Sequence, residues 1–217
     1  MSVVHLQHAK VSLALHPLSE GDGRPLLLLH GLGERSPKAL AGPVAGWPGP
    51  VHALDFTGHG ESSPSGSGGY TAEVLMGDVD TALAHLGPCT LLGRGLGAYV
   101  AVLIAGARPT QVRGALLCDG IGLAGGGPVP GSPRVIFADS GGNASPDPFA
   151  LAELSQDVRP PDYATAFIRQ ANELSGLDRP VSVCCVERPA WLEAVVKEPG
   201  VVEANVEEAL RGYAALA

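Results

Sequence analysis

Residues Leu91–Leu103 read LLGRGLGAYVAVL, and this stretch decides the fold. The apolar run from Cys89 to Leu92 ends in Gly93-Arg94-Gly95-Leu96-Gly97, and a helical pattern begins at once. Small residues let a strand reverse sharply into a helix, because glycine tolerates positive φ and leaves room for close backbone contact. Two kinds of chemistry use such a turn. In a G-x-S-x-G turn a serine is lifted above a sheet as a nucleophile. In G-x-G-x-x-G/A the backbone brings a pyrophosphate onto a helix N-terminus. Here Gly95 stands where the serine would, while Gly93, Gly95 and Ala98 fit the second pattern.

Outward from this turn, strands and helices alternate. Upstream, residues 2–16 alternate in polarity with a break near His8 to Lys10, which predicts a two-stranded hairpin. Leu26 to Leu29 form an unbroken apolar run, as in a strand covered on both faces. Residues 34–46 read as a helix or an irregular crossover, weakened by Pro37 and Pro43, and Val51 to Asp55 as a short strand. Thr71 can cap a helix from Ala72 to Leu86, whose Val74, Leu75, Val79, Leu83 and Leu86 follow helical spacing.

Downstream of the turn, a helix to Ala107 is followed by a strand from Val112 to Cys118. Arg134 to Ala138 suggests a strand on an excursion, and helices are expected over 148–157 and 162–174. PVSVCCVE (180–187) and GVVEA (200–204) read as strands, and 189–197 and 206–216 as helices. The pattern predicts an α/β fold of about eight strands, a mostly parallel sheet with helices on both faces. The whole of 1–217 is expected to be one domain, with 121–176 a short lid-like excursion whose Gly/Pro-rich start suggests mobility.

Composition excludes several classes. A net charge of −8, with 14 Lys and Arg spread through the chain, offers no stripe to neutralise phosphates, so nucleic acid is not an expected partner. No run reaches the ~18 apolar residues of a membrane span. The N-terminus lacks a signal peptide's basic and apolar regions, which leads to the expectation of a soluble, cytoplasmic protein. Cys89, Cys118, Cys184 and Cys185 contain no C-x-x-C pair and read as free thiols, with Cys184 and Cys185 on opposite faces of a strand.

Four segments in this order, LLLLHGLGE, HALDFTGHGESS, CTLLGRGLGAYVAVLIAGARP and PVSVCCVE, resemble the α/β-hydrolase superfamily. They correspond to its H-G oxyanion loop, its D-x-x-G-x-G-x-S segment, its elbow with the following helix, and its penultimate strand; close similarity covers about residues 25–118. The resemblance implies that fold, and an activity in which a serine attacks an acyl carbon while a histidine, oriented by an acid, takes its proton. This chain departs from it twice. Gly95 has no side chain, and all seven histidines (His5, His8, His16, His30, His52, His59 and His85) precede the elbow, whereas the triad histidine should follow the last strand. A glycine elbow is similar in that one respect to the N-myc downstream-regulated proteins, which keep the fold without a working triad.

What the resemblance leaves intact is the oxyanion cradle, in which the N–H groups of Leu32 and Leu96 converge at a helix N-terminus that favours negative charge. His30, Gly31, Leu32, Arg94, Gly95 and Leu96 are therefore the expected ligand-binding residues, for a small organic or acyl ligand. The expected function is a non-catalytic, small-molecule- or partner-binding relative of the hydrolases, with no cofactor and no metal. One alternative is an atypical hydrolase of esters or related acyl substrates, with a rearranged site using Asp119 or His59. Another is nucleotide binding through the GRGLGA turn, with Asp119, 26 positions after Gly93, as the ribose-binding acid. A metal set of His30, Asp55, His59 and Asp119, a Cys118 nucleophile, and Ser140 find no supporting motif or partner.

Overall fold

The computed structural model describes residues 2–66, 68–126 and 145–216. The strand suggested for Arg134 to Ala138, and Ser140 with its neighbours, lie outside these. Among the described residues eight strands form one sheet: β1 (Val4–His8), β2 (Val11–Ser19), β3 (Leu26–Leu29), β4 (Val51–Leu54), β5 (Cys89–Arg94), β6 (Val112–Cys118), β7 (Val181–Val183) and β8 (Val201–Glu203). The spatial order is β1-β2-β4-β3-β5-β6-β7-β8. The first hairpin and its junction with β4 are antiparallel, and every later pair is parallel. Ala9 and Lys10 make the hairpin turn, Ala9 with φ 51°, and β2 runs past the expected His16 to Ser19 through an irregularity at Pro17.

The helices are α1 (Ala72–Leu86), α2 (Leu96–Ala107), α3 (Pro148–Gln156), α4 (Pro161–Leu174), α5 (Ala190–Val195) and α6 (Val206–Ala214). Thr71 caps α1 as its sequence predicts, its Oγ1 accepting from the Val74 N–H at 3.3 Å. Every residue of α2 from Leu96 to Gly106 is buried, because α1 and α4 flank it above the sheet. Closeness is built in by glycine: a Cβ on Gly106 would stand 2.4 Å from the Phe167 carbonyl oxygen of α4. On this face α1, α2, α4 and α5 close a large core that includes the fully buried Tyr99 and Trp191, rings in edge contact at 5.1 Å. Each such burial contributes about 1.5–3 kcal/mol.

The opposite face is more thinly covered. Its smaller core, Leu26, Trp47, Val51, Leu92, Leu116, Leu210 and Tyr213, is roofed by α6 and by the crossover from β3 to β4. That crossover takes the irregular form of the two expected. Its only helical turn is a 3₁₀ turn at Gly42–Gly46, since Pro37, Pro43, Gly42 and Gly46 deny an α-helix its hydrogen bonds and its backbone preference.

PVSVCCVE is strand only over Val181–Val183. The chain then turns, Cys185 joining the larger core and Cys184 packing toward the smaller one, so the two thiols do face opposite ways. All four cysteines are free. No helix among the described residues is long and apolar enough to cross a membrane.

Candidate functional site

The carboxyl ends of β3, β5, β6 and β7 deliver His30-Gly31-Leu32, Arg94-Gly95-Leu96, Asp119 and Glu187 to one edge of the sheet, where ligands of such sheets bind. Gly95 makes the strand-to-helix turn with φ 55° and ψ −117°, a strained conformation that residues with a side chain rarely adopt. The neighbouring glycines are sterically required: a Cβ on Gly93 would lie 2.3 Å from the Gly97 carbonyl oxygen, and one on Gly97 2.6 Å from that of Leu29.

The N–H groups of Leu32 and Leu96 do converge, and they converge on the chain itself. Both donate to the backbone carbonyl oxygen of Ile121, at 2.9 and 3.0 Å. A Cβ placed on Gly95 would stand 2.1 Å from that same oxygen and 2.6 Å from the carbonyl carbon of Gly120. Segment 120–122 therefore fills the space above the turn that a side chain at 95 would need.

Several groups hold the segment there. The Asp119 carboxylate accepts the N–H groups of Val186 (2.7 Å) and Glu187 (3.0 Å), so it anchors backbone. The Arg159 guanidinium donates to the carbonyl oxygens of Gly122 and Leu123. Trp191 Nε1 donates to Leu123 at 2.8 Å, and the Gly126 N–H to Asp157 at 2.8 Å. Arg159 is 5% exposed and lies 4.7 Å from the centre of the Tyr99 ring. Burial pushes its pKa down to about 10, so it stays a cation at neutral pH.

The remaining candidates take structural positions. His30 has both ring nitrogens engaged: Nε2 accepts the Phe56 N–H at 3.1 Å, which leaves Nδ1 to donate to the Gly31 carbonyl at 2.7 Å. Burial lowers its pKa. His59 is fully buried; its Nδ1 faces the Thr57 carbonyl at 3.1 Å, and its Nε2 has no partner among the described residues. Burial, then the nearby His30, pushes its pKa down to about 4, which keeps it neutral. Asp55 accepts the N–H groups of Ser36 (2.6 Å) and Glu61 (2.8 Å) and meets His16 Nε2 at 2.9 Å.

Cys118 is no poised nucleophile, since a hydrogen bond with Cys184 and burial both push its thiol pKa up. Among the described residues no group of three or more His, Cys, Asp and Glu side chains is placed to hold a metal ion. The first three amides of α2 are also spent, with Leu96 bonded to Ile121, Gly97 to His30 and Ala98 to Gly95. None is left for a pyrophosphate.

Arg94 stands between two cavities. One, of about 490 Å³, lies over segment 120–125 and reaches Glu187; the other, of about 720 Å³, lies under the crossover after β3. Sequence reasoning missed Ile121 and Arg159. Ile121 acts through its backbone, and a lone arginine before two prolines carries no motif. The glycines at 95 and 120 are complementary in space, since a Cβ on Gly120 would lie 2.8 Å from the Gly95 nitrogen.

No protein of curated function matches the chain. Among solved structures it is similar to a hypothetical protein of Pseudomonas aeruginosa (20% identity, TM-score 0.65, 99% of this chain and 97% of that one). It is similar also to a thioesterase domain from the curacin biosynthetic pathway (16% identity, TM-score 0.63, 99% and 98%). A third is the N-formylmaleamic acid deformylase of Pseudomonas putida (16% identity, TM-score 0.57, 95% and 93%). At these identities the likeness establishes the fold. The family model described as "Alpha/beta hydrolase family" matches residues 26–215. With the sheet order and the strand-to-helix turn at Gly95, that match decides the matter: the chain belongs to the alpha/beta hydrolase family.

Proposed function

We propose that this protein is a non-catalytic member of its family, one that binds a small organic ligand or a protein partner. The observation that carries the reading is the double hydrogen bond from Leu32 and Leu96 to the Ile121 carbonyl oxygen. An oxyanion hole works by holding its donors ready for a charge that develops on the substrate. Donors already paired with a backbone carbonyl are not ready, and freeing them breaks two hydrogen bonds and the anchors on either side. The chain also lacks the other parts of acyl transfer. Gly95 supplies no nucleophile, no histidine follows β8, and His59 is buried and neutral. Asp119 is occupied in fixing the 186–187 backbone.

The test is hydrolysis of p-nitrophenyl butyrate by homogeneous protein, beside a folded Leu96→Pro variant that has lost one cradle donor. Proline is tolerated at a first helical position, and because the Leu96 side chain is fully buried the variant is compared only after its fold has been verified by circular dichroism. The reading predicts no turnover above buffer in either protein. Turnover in the wild type that the variant lacks would overturn it.

A further inference from the structure

The crossover between β3 and β4 joins two parallel strands, a connection most often made by a helix laid on the sheet. Here it contributes one 3₁₀ turn, and a cavity of about 720 Å³ remains between that crossover and the ends of β3 and β5. Its volume falls within the range of small-molecule sites, about 300–1,000 Å³. Leu28, although in a central strand, is only half-buried beside it. Leu28 and Leu92 form the floor and Leu40 and Val44 the wall, so most of the lining is apolar.

The charged residues of the lining are Arg94, Glu34 and Arg35, with His30, Ser36 and Ser145 as further polar groups. Arg94 is half-exposed and faces Glu34 at 3.6 Å, beyond hydrogen-bonding range. The other Glu34 oxygen accepts the Gly31 N–H at 2.9 Å. A loose, exposed pair of this kind contributes little, so a second carboxylate can replace Glu34 on the guanidinium and gain the paired, planar geometry that Arg offers. Glu34 would remain tied to Gly31. The same rim carries two cations and one anion, which suits a single negative charge; a dianion would meet Glu34 as well.

We propose that this cavity is a ligand site for an amphipathic monocarboxylate. The apolar body lies over Leu28, Leu40, Val44 and Leu92, and the carboxylate pairs with Arg94. The site is separate from the closed cradle, and the proposal deepens the ligand-binding arm of the function proposed above.

Decanoate is the probe, with decanol and decyl phosphate as comparators, and the full chain is followed by thermal shift and isothermal titration calorimetry. A ligand that binds only the native state raises its melting temperature. Saturable binding of decanoate is expected, with weaker binding of both comparators. Arg94→Gln should weaken decanoate about tenfold, as loss of a charge-assisted hydrogen bond does. Glu34→Gln should tighten it by removing the competitor, and Val44→Trp should abolish it by filling the cavity.

No binding of decanoate to the wild type overturns the proposal, as does affinity unchanged in both Arg94→Gln and Val44→Trp. Tighter binding of decyl phosphate overturns the monocarboxylate class. Glu34→Gln alters a half-buried side chain whose amide oxygen can still accept the Gly31 N–H, and it keeps the test decisive if another variant does not fold. Binding does not read turnover, so this proposal and the non-catalytic reading fail separately.

Discussion

Gly95→Ser is expected to lower stability by about 2–6 kcal/mol and to produce no esterase. Two costs add. A side chain at φ 55°, ψ −117° is strained by about 1–3 kcal/mol. Forcing it against packed atoms costs about 1–3 kcal/mol more, because its Cβ starts 2.1 Å from the Ile121 oxygen. The segment can escape only by giving up its bonds to Leu32, Leu96, Arg159 and Trp191. Even then the new hydroxyl would have no histidine base, so p-nitrophenyl butyrate should be turned over no faster than by the wild type. Urea unfolding measures the first effect as a lower midpoint at similar slope. An unchanged midpoint would mean that segment 120–122 moves aside at no cost, and that the cradle is not held shut.

Asp55→Ala is expected to cost about 2–6 kcal/mol, since it leaves two backbone amides without an acceptor at about 1–3 kcal/mol each. Asp55 is 2% exposed. Burial pushes its pKa up, but the N–H groups of Glu61 and Ser36 and the contact with His16 outweigh that, and hold it below the usual carboxylate range. Removing the carboxylate strands the Ser36 and Glu61 amides, of which Ser36 belongs to the crossover that bounds the larger cavity. Asp55→Asn keeps the shape and one oxygen acceptor and should lose less. Equal stability of wild type and Asp55→Ala by urea unfolding would contradict this account of the loop.

The same network explains a motif the sequence made visible without showing its purpose. In HALDFTGHGESS, a Cβ on Gly60 would stand 2.0 Å from the Asp55 carboxylate and one on Gly58 2.7 Å from the Tyr70 hydroxyl. Ser62 donates to the Asp55 carbonyl at 2.6 Å and accepts the Ala14 N–H at 2.8 Å. Asp55, Gly58, Gly60 and Ser62 are thus engaged in building a loop.

Strands, helices and the turn at Gly95 were legible because they rest on local signals: apolar runs such as Leu26–Leu29, helical spacing in α1, and a cap at Thr71. Element ends were less so. In PVSVCCVE the apolar run continues three residues past the strand, to Val186, and Cys185 enters the larger core after the chain has turned. The closed cradle was illegible for a different reason. It is made by backbone atoms of residues 32, 96 and 121, and backbone contacts leave no mark on side-chain pattern. The glycines after Asp119 suggested mobility; the structure gives three of them a steric reason, since Cβ atoms on Gly120, Gly122 and Gly125 would stand 2.8, 2.7 and 2.6 Å from Gly95, Leu32 and Asp157 atoms.

Amide hydrogen exchange at Leu32 and Leu96 measures directly whether Ile121 occupies the cradle in solution. If both N–H groups are bonded to the Ile121 carbonyl, they should exchange as slowly as amides of β5 and α2, opening only with the larger unit around them. Fast exchange at both positions, with β5 and α2 still protected, would show an open cradle and contradict the account.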